Sequence, residues 1–121
     1  MNGSIHEMLQ IDVFGPKRML DFAHECKNLL VFNHISTAFV NSNQKPWSII
    51  SEKIHPNTGA EDFEVQIKKI LETDLTTLEQ NITKFTNNHV NTYVFTKDLA
   101  ERYLERYRGD LRVVINRPSM I

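Results

Sequence analysis

Tyr93 and Lys97 stand four residues apart in the stretch Asn91 to Lys97, which reads Asn-Thr-Tyr-Val-Phe-Thr-Lys. On a helix that spacing puts the two side chains one turn apart on one face. An ammonium held beside a phenol stabilises the phenolate, and a tyrosine so placed can give up or take a proton in carbonyl chemistry. The spacing alone is weak, because chance readily supplies such a pair. A second candidate is Ser36-Thr37, two adjacent hydroxyls directly after the apolar run Leu29 to Ile35. If that run is a strand of an open parallel sheet, they fall at its carboxyl end, where ligand crevices form.

Other reactive side chains are less suggestive. Cys26 is the single cysteine, which excludes an internal disulfide and fits a reducing compartment. It falls where a helix should end, whereas reactive thiolates favour helix N-termini, so it reads as a half-buried thiol. The histidines at 6, 24, 34, 55 and 89 show no metal-ligand spacing with one another or with Cys26, and no metal is expected. His34, inside the apolar run, reads as a hydrogen-bonded structural residue.

The elements that must position these groups follow from the pattern of the chain. Its 121 residues suit one small domain, and a net charge of −1 offers no basic surface for nucleic acid. No apolar run reaches the length of a membrane span, and the N-terminus lacks the basic start and apolar core of a secretory signal. Ile5 to Lys27 reads as helix, interrupted at Gly15-Pro16 by a kink or by the meeting of two helices. Leu29 to Ile35 reads as a strand whose near-continuous apolarity predicts cover on both faces. Asn41 to Pro56 reads as a polar loop, with Trp47 either over a pocket or anchoring the loop to the body. Asn57-Thr58-Gly59 marks a turn. Glu61 to about Lys84 is helical, in two pieces striped by Phe63, Ile67, Ile70 and Leu71 and then by Leu75, Leu78, Ile82 and Phe85. Asn91 to Arg108 is the strongest helix, with Asp98 and Arg102 as an ion pair on its exposed side and Gly109 beyond its C-terminus. Leu111 to Asn116 reads as a second strand, ended by Arg117-Pro118. Strand, helical crossover and strand make one βαβ unit of an α/β fold.

Three of these stretches together resemble the short-chain dehydrogenase/reductase superfamily: the strand ending His34-Ile35-Ser36-Thr37-Ala38, the tyrosine–lysine helix, and the strand closed by Arg117-Pro118-Ser119. More narrowly, the chain resembles fatty acyl-CoA reductases of the male-sterility type. Phe14-Gly15-Pro16-Lys17-Arg18, the run Ser36 to Asn41, the Asn-Thr-Tyr-x-Phe-Thr-Lys block and the long helical gap between Thr37 and Tyr93 carry that likeness. The resemblance implies a partial Rossmann-like NAD(P)-binding fold (helix, strand, helical insertion, catalytic helix, strand) lacking the N-terminal glycine-rich βαβ half. Residues 1–121 would then be the C-terminal portion of one incomplete reductase domain.

The implied reaction is NADPH-dependent reduction of a long-chain fatty acyl-CoA to the fatty alcohol with release of CoA, as part of a longer enzyme. Tyr93 would be the proton donor, Lys97 would stabilise its phenolate and bind the nicotinamide ribose, and Thr37, with Ser36 beside it, would hold the substrate carbonyl oxygen. Ser36, Tyr93, Lys97, Arg117, Pro118 and Ser119 would lie against the cofactor. Asp12 stands where the family usually has an asparagine that positions the lysine through a water, and it adds a charge there. None of the glycines at 3, 15, 59 and 109 pair as G-x-G-x-x-G, so the cofactor pyrophosphate has no cradle in these residues. The chain alone is therefore expected to be inactive. Members of that family are often tied to peroxisomal, plastid or endoplasmic reticulum membranes, and no such signal lies here. The alternatives are a non-catalytic truncated product or remnant, and another extended-type reductase acting on a nucleotide sugar or steroid.

Overall fold

The computed structural model describes residues 3–56 and 61–120; the expected turn at Asn57-Thr58-Gly59 lies outside them. The first element, α1 (Ile5–Asp12), starts on a capping box in which Ser4 Oγ accepts from the Glu7 N–H and Glu7 accepts from the Ser4 N–H at 2.9 Å. A second helix, α2 (Phe14–Glu25), follows after the single residue Val13. Two helices therefore meet at this point, just ahead of Pro16. The proline has no N–H to offer the Asp12 carbonyl, and within α2 it occupies the first turn, where no intrahelical donor is needed.

Strands β1 (Phe32–Ile35) and β2 (Val113–Asn116) pair in parallel, with Phe32 opposite Val113 and His34 opposite Ile115. Both are shorter than the apolar runs that announced them, because a strand extends only as far as its partner does. The ladder does continue past the carboxyl ends: Ser36 N–H donates to the Asn116 carbonyl at 2.7 Å and Ala38 N–H to that of Pro118 at 3.0 Å. Expected cover on both faces is not found among the described residues. Helix α2 packs on β1, and the last long helix, α6 (Thr92–Tyr107), packs on β2. On the other face Ile35 and Val114 are 54% and 47% exposed.

The stretch from Glu61 to Lys84 enters three helices rather than two: α3 (Phe63–Glu72), α4 (Leu75–Gln80) and the single turn α5 (Ile82–Phe85). Asp62 and Asp74 cap the first two by accepting backbone N–H bonds from Glu64 and Thr77. Their apolar stripes join α1 and α6 in one core of Ile5, Leu9, Val13, Ile67, Ile70, Leu78, Phe95 and Leu99. Truncating a fully buried aromatic such as Phe95 to alanine costs about 3–5 kcal/mol.

Helix α6 is bounded as its sequence suggests. The Asn91 side chain accepts from the Val94 N–H at 2.8 Å, and Gly109 follows the helix at φ +55°, a left-handed conformation that glycine adopts without penalty. Two expectations about its surroundings need correction. The Asp98–Arg102 pair forms, but Asp98 is 3% exposed: the buried His89 ring stands 3.7 Å from its carboxylate, and Arg102 also donates to the His55 carbonyl. Trp47 neither lines a pocket nor anchors its loop: it is fully exposed, at a positive φ of 65°.

Candidate active site

The carboxyl end of β1, the first turns of α6 and the residues after β2 come together around Lys97. Its Nζ donates to the Ile35 carbonyl at 2.8 Å and stands over the Tyr93 ring, 6.0 Å from the ring centroid. The pair predicted from spacing is thus joined face to charge rather than hydroxyl to ammonium. One of the three ammonium hydrogens is engaged by the strand end, leaving two for a ligand.

Ser36 and Thr37 follow Ile35 directly, and both are buried. Ser36 Oγ has no hydrogen-bond partner among the described residues. Thr37 Oγ1 accepts from the Phe39 N–H at 3.4 Å and so caps a short 3-10 turn, Ala38–Asn41, that packs against α6. Capping uses an acceptor lone pair of the hydroxyl, so its hydrogen stays free to donate to a carbonyl oxygen. The two hydroxyls and the ammonium thus share one strand end.

Across the ladder the picture for Arg117 differs. Its Nε and Nη2 grip the two carboxylate oxygens of Glu101 at 2.9 and 2.6 Å, and Nη2 also donates to the Lys53 carbonyl at 3.1 Å. The Glu101 contact holds the guanidinium above its already high pKa. Most of its donors are therefore committed within the protein, while Pro118 and Ser119 are exposed at the strand end. Beside β2 a groove of about 1030 Å³ opens between Ala38, Asn41, Lys53, Val113, Ile115 and Arg117.

Two further residues approach Lys97 from below. His34 is 7% exposed and its Nε2 has no partner among the described residues, so the expected hydrogen-bonded role is not what this nitrogen plays. Burial first, then the charge of Lys97, pushes its pKa down from 6.5 and keeps the imidazole neutral at pH 7. Asp12, the last residue of α1, accepts from the Thr96 hydroxyl at 2.7 Å. The remaining candidates lie apart from this site. Cys26 is half-buried as expected, with its thiol on the Phe22 carbonyl. His6, His24, His55 and His89 each face a backbone carbonyl. Among the described residues no group of His, Cys, Asp or Glu is arranged to hold a metal, and no helix is long and apolar enough to cross a membrane.

Sequence reasoning missed Thr96 and Glu101. For Glu101 a signal existed: it lies one turn beyond Lys97 on the same helical face as the tyrosine. A buried threonine hydroxyl leaves no such mark.

Comparison with known proteins adds a family. The sequence model described as male sterility protein matches residues 1–121. Fatty acyl-CoA reductase 1 of Xenopus laevis is 32% identical over 99% of the chain, and the human protein of the same name 30% identical over 99%. The alcohol-forming fatty acyl-CoA reductase of Simmondsia chinensis is 33% identical over 93%. The matched segment is 22% of the length of the first two relatives and 27% of the third. No solved structure matches the chain.

Proposed function

Because the chain belongs to the male sterility protein family, whose model covers all of it, we propose that it carries the proton-transfer end of a nicotinamide-dependent fatty acyl-CoA reductase. The reaction in this reading is reduction of a long-chain acyl-CoA thioester by two molecules of NADPH in turn, the first hydride giving the aldehyde as CoA leaves and the second giving the fatty alcohol. The observation that carries it is Lys97, which reaches the end of β1 beside Ser36 and Thr37 while standing over Tyr93.

The residues present fit the nicotinamide end of the cofactor. Lys97 keeps two donors for ribose hydroxyls, Ser36 Oγ is buried without a partner, and Pro118 and Ser119 are open to a ligand. Lys97 and Tyr93 would hold the ribose; Ser36, Pro118 and Ser119 would flank the nicotinamide, with Arg117 fixing the strand end that presents them. NADPH, when bound, supplies the hydride. Thr37 donates its free hydroxyl hydrogen to the substrate carbonyl oxygen, orienting the carbon and drawing charge onto the oxygen. Tyr93 gives its phenolic proton to that oxygen as charge develops, and the Lys97 ammonium stabilises the phenolate left behind.

The test is Tyr93→Phe in the full-length natural protein. Acyl-CoA reduction should fall by about 10²–10⁴-fold, the usual contribution of a positioned general acid, with NADPH affinity by calorimetry nearly unchanged. Turnover retained in that variant removes the assignment.

A further inference from the structure

Thr96 precedes Lys97 and is 0% exposed, so its hydroxyl must find partners inside the protein. Oγ1 lies 2.7 Å from Asp12 Oδ2 and 2.9 Å from the Tyr93 carbonyl oxygen. A hydroxyl has one hydrogen, and both neighbours are acceptors, so it cannot serve both fully. A threonine in any helix can bond back to the carbonyl three residues earlier, and that contact alone means little. The second acceptor is different. Asp12 comes from another element, the last residue of α1 directly before the break at Val13. A charge-assisted bond to a carboxylate is roughly twice as strong as one to a neutral carbonyl, so the hydrogen points to Asp12 and the carbonyl is left as the minor branch.

We infer that Thr96 is a positioning residue for Tyr93: through Asp12 it ties the start of α6 to the α1–α2 junction. This rests on the reductase reading. The second turn of α6 is held at two places, at Thr96 by Asp12 and at Lys97 by the Ile35 carbonyl. Tyr93 lies one turn earlier on the same helix, and its hydroxyl is the atom whose placement the proton transfer needs. Misplacing a reacting group by about 1 Å costs about 100-fold. The identity of residue 12 then has a defined role. A carboxylate there can only accept, so it takes the Thr96 hydrogen. An asparagine could donate its amide to Oγ1 and turn that hydrogen to the Tyr93 carbonyl, keeping the tie with its polarity reversed.

The test uses the full-length natural protein with NADPH and a long-chain acyl-CoA, beside Tyr93→Phe as the control for the reading itself. Thr96→Val and Asp12→Ala are each expected to lower kcat by about 10- to 100-fold with both KM values unchanged. The double variant should be no worse than either single one, because both break the same link. Thr96→Ser, which keeps the hydroxyl, and Asp12→Asn should retain most of the rate. Amide hydrogen exchange over Val94 to Thr96 gives a readout apart from turnover: about tenfold faster in Thr96→Val and Asp12→Ala, unchanged in Thr96→Ser. If Thr96→Val does not fold, the Asp12→Ala, Asp12→Asn and exchange results decide alone. A dead Tyr93→Phe together with wild-type kcat in Thr96→Val, or additive losses in the double variant, would overturn the tie and spare the reading. An active Tyr93→Phe would overturn both.

Discussion

Replacing Glu101 with leucine removes one half of a buried ion pair. The Glu101 side chain is 1% exposed and that of Arg117 19%, with contacts of 2.6 and 2.9 Å in a two-pronged grip. Without the carboxylate, Arg117 stays in place as a buried charge with only the Lys53 carbonyl among its contacts described above. Removing one partner of a buried pair costs about 3–5 kcal/mol, and the partial exposure of Arg117 argues for the lower end. With a urea dependence of about 2 kcal/mol per molar, about 3 kcal/mol lowers the unfolding midpoint of the domain by about 1.5 M. The assay is urea unfolding of the full-length natural protein, for Glu101→Leu and for Glu101→Leu combined with Arg117→Met. The apolar pair leaves no charge stranded and should recover most of the lost stability. A single variant within about 0.3 M of wild type, or a double variant no better than the single one, refutes the account of Arg117 as a charge held by Glu101.

Other outcomes follow from the site. Thr37→Val keeps the side-chain shape but removes both the 3-10 cap and the hydroxyl hydrogen; steady-state kinetics should show a large loss of kcat, while Thr37→Ser retains activity. His34 has a folded-state pKa below 6.5, so the unfolded chain binds more protons in the window between the two values. Stability is therefore fully present above about pH 6.5 and declines as pH falls towards the folded-state value, and His34→Gln should flatten that decline in thermal melts between pH 7 and 5. Residues 1–121 expressed alone should aggregate or stay molten and bind no NADPH, given the half-exposed sheet face and the missing glycine-rich turn. A cooperative melt with micromolar NADPH binding would count against that.

The parts of this molecule legible in its sequence are those fixed by local chemistry. Helix α6 announces itself through the Asn91 cap, its apolar face and Gly109, and the Tyr93–Lys97 pair needs only that helix to share a face. Asp98 looked solvated because an i,i+4 pairing with Arg102 says nothing of burial, and the His89 ring beside its carboxylate comes from the chain ahead of the helix. Strand limits were overdrawn for a similar reason: Leu29 to Val31 is apolar enough for a strand but has nothing to pair with once β2 begins at Val113. The Thr96–Asp12 contact lay beyond reach because it exists only once Val13 breaks the first helix and turns Asp12 towards α6. Arg117 was read by its place after a strand, whereas its bonds are decided by a carboxylate on the helix facing it.

Among the described residues, the loop that leaves the 3-10 turn is fastened to α6 and to the end of β2 by Arg102 and Arg117. The Lys53 and His55 carbonyls sit on Arg117 and Arg102, whose carboxylate partners Glu101 and Asp98 are neighbours on one helical face. Upstream of those two clasps, the stretch carrying the exposed Trp47 and Ile49 is free of such ties in the contacts described. Its length is therefore a variable the fold can change cheaply, since doubling a flexible loop adds only about 0.6 kcal/mol of closure entropy. Insertions between Asn43 and Ile49 would leave the clasps, and with them the wall of the groove, where they are. The same insertions between Lys53 and His55 would put the two carbonyls out of step with the helix. Such a loop is built to be edited at its tip and copied faithfully at its hinge.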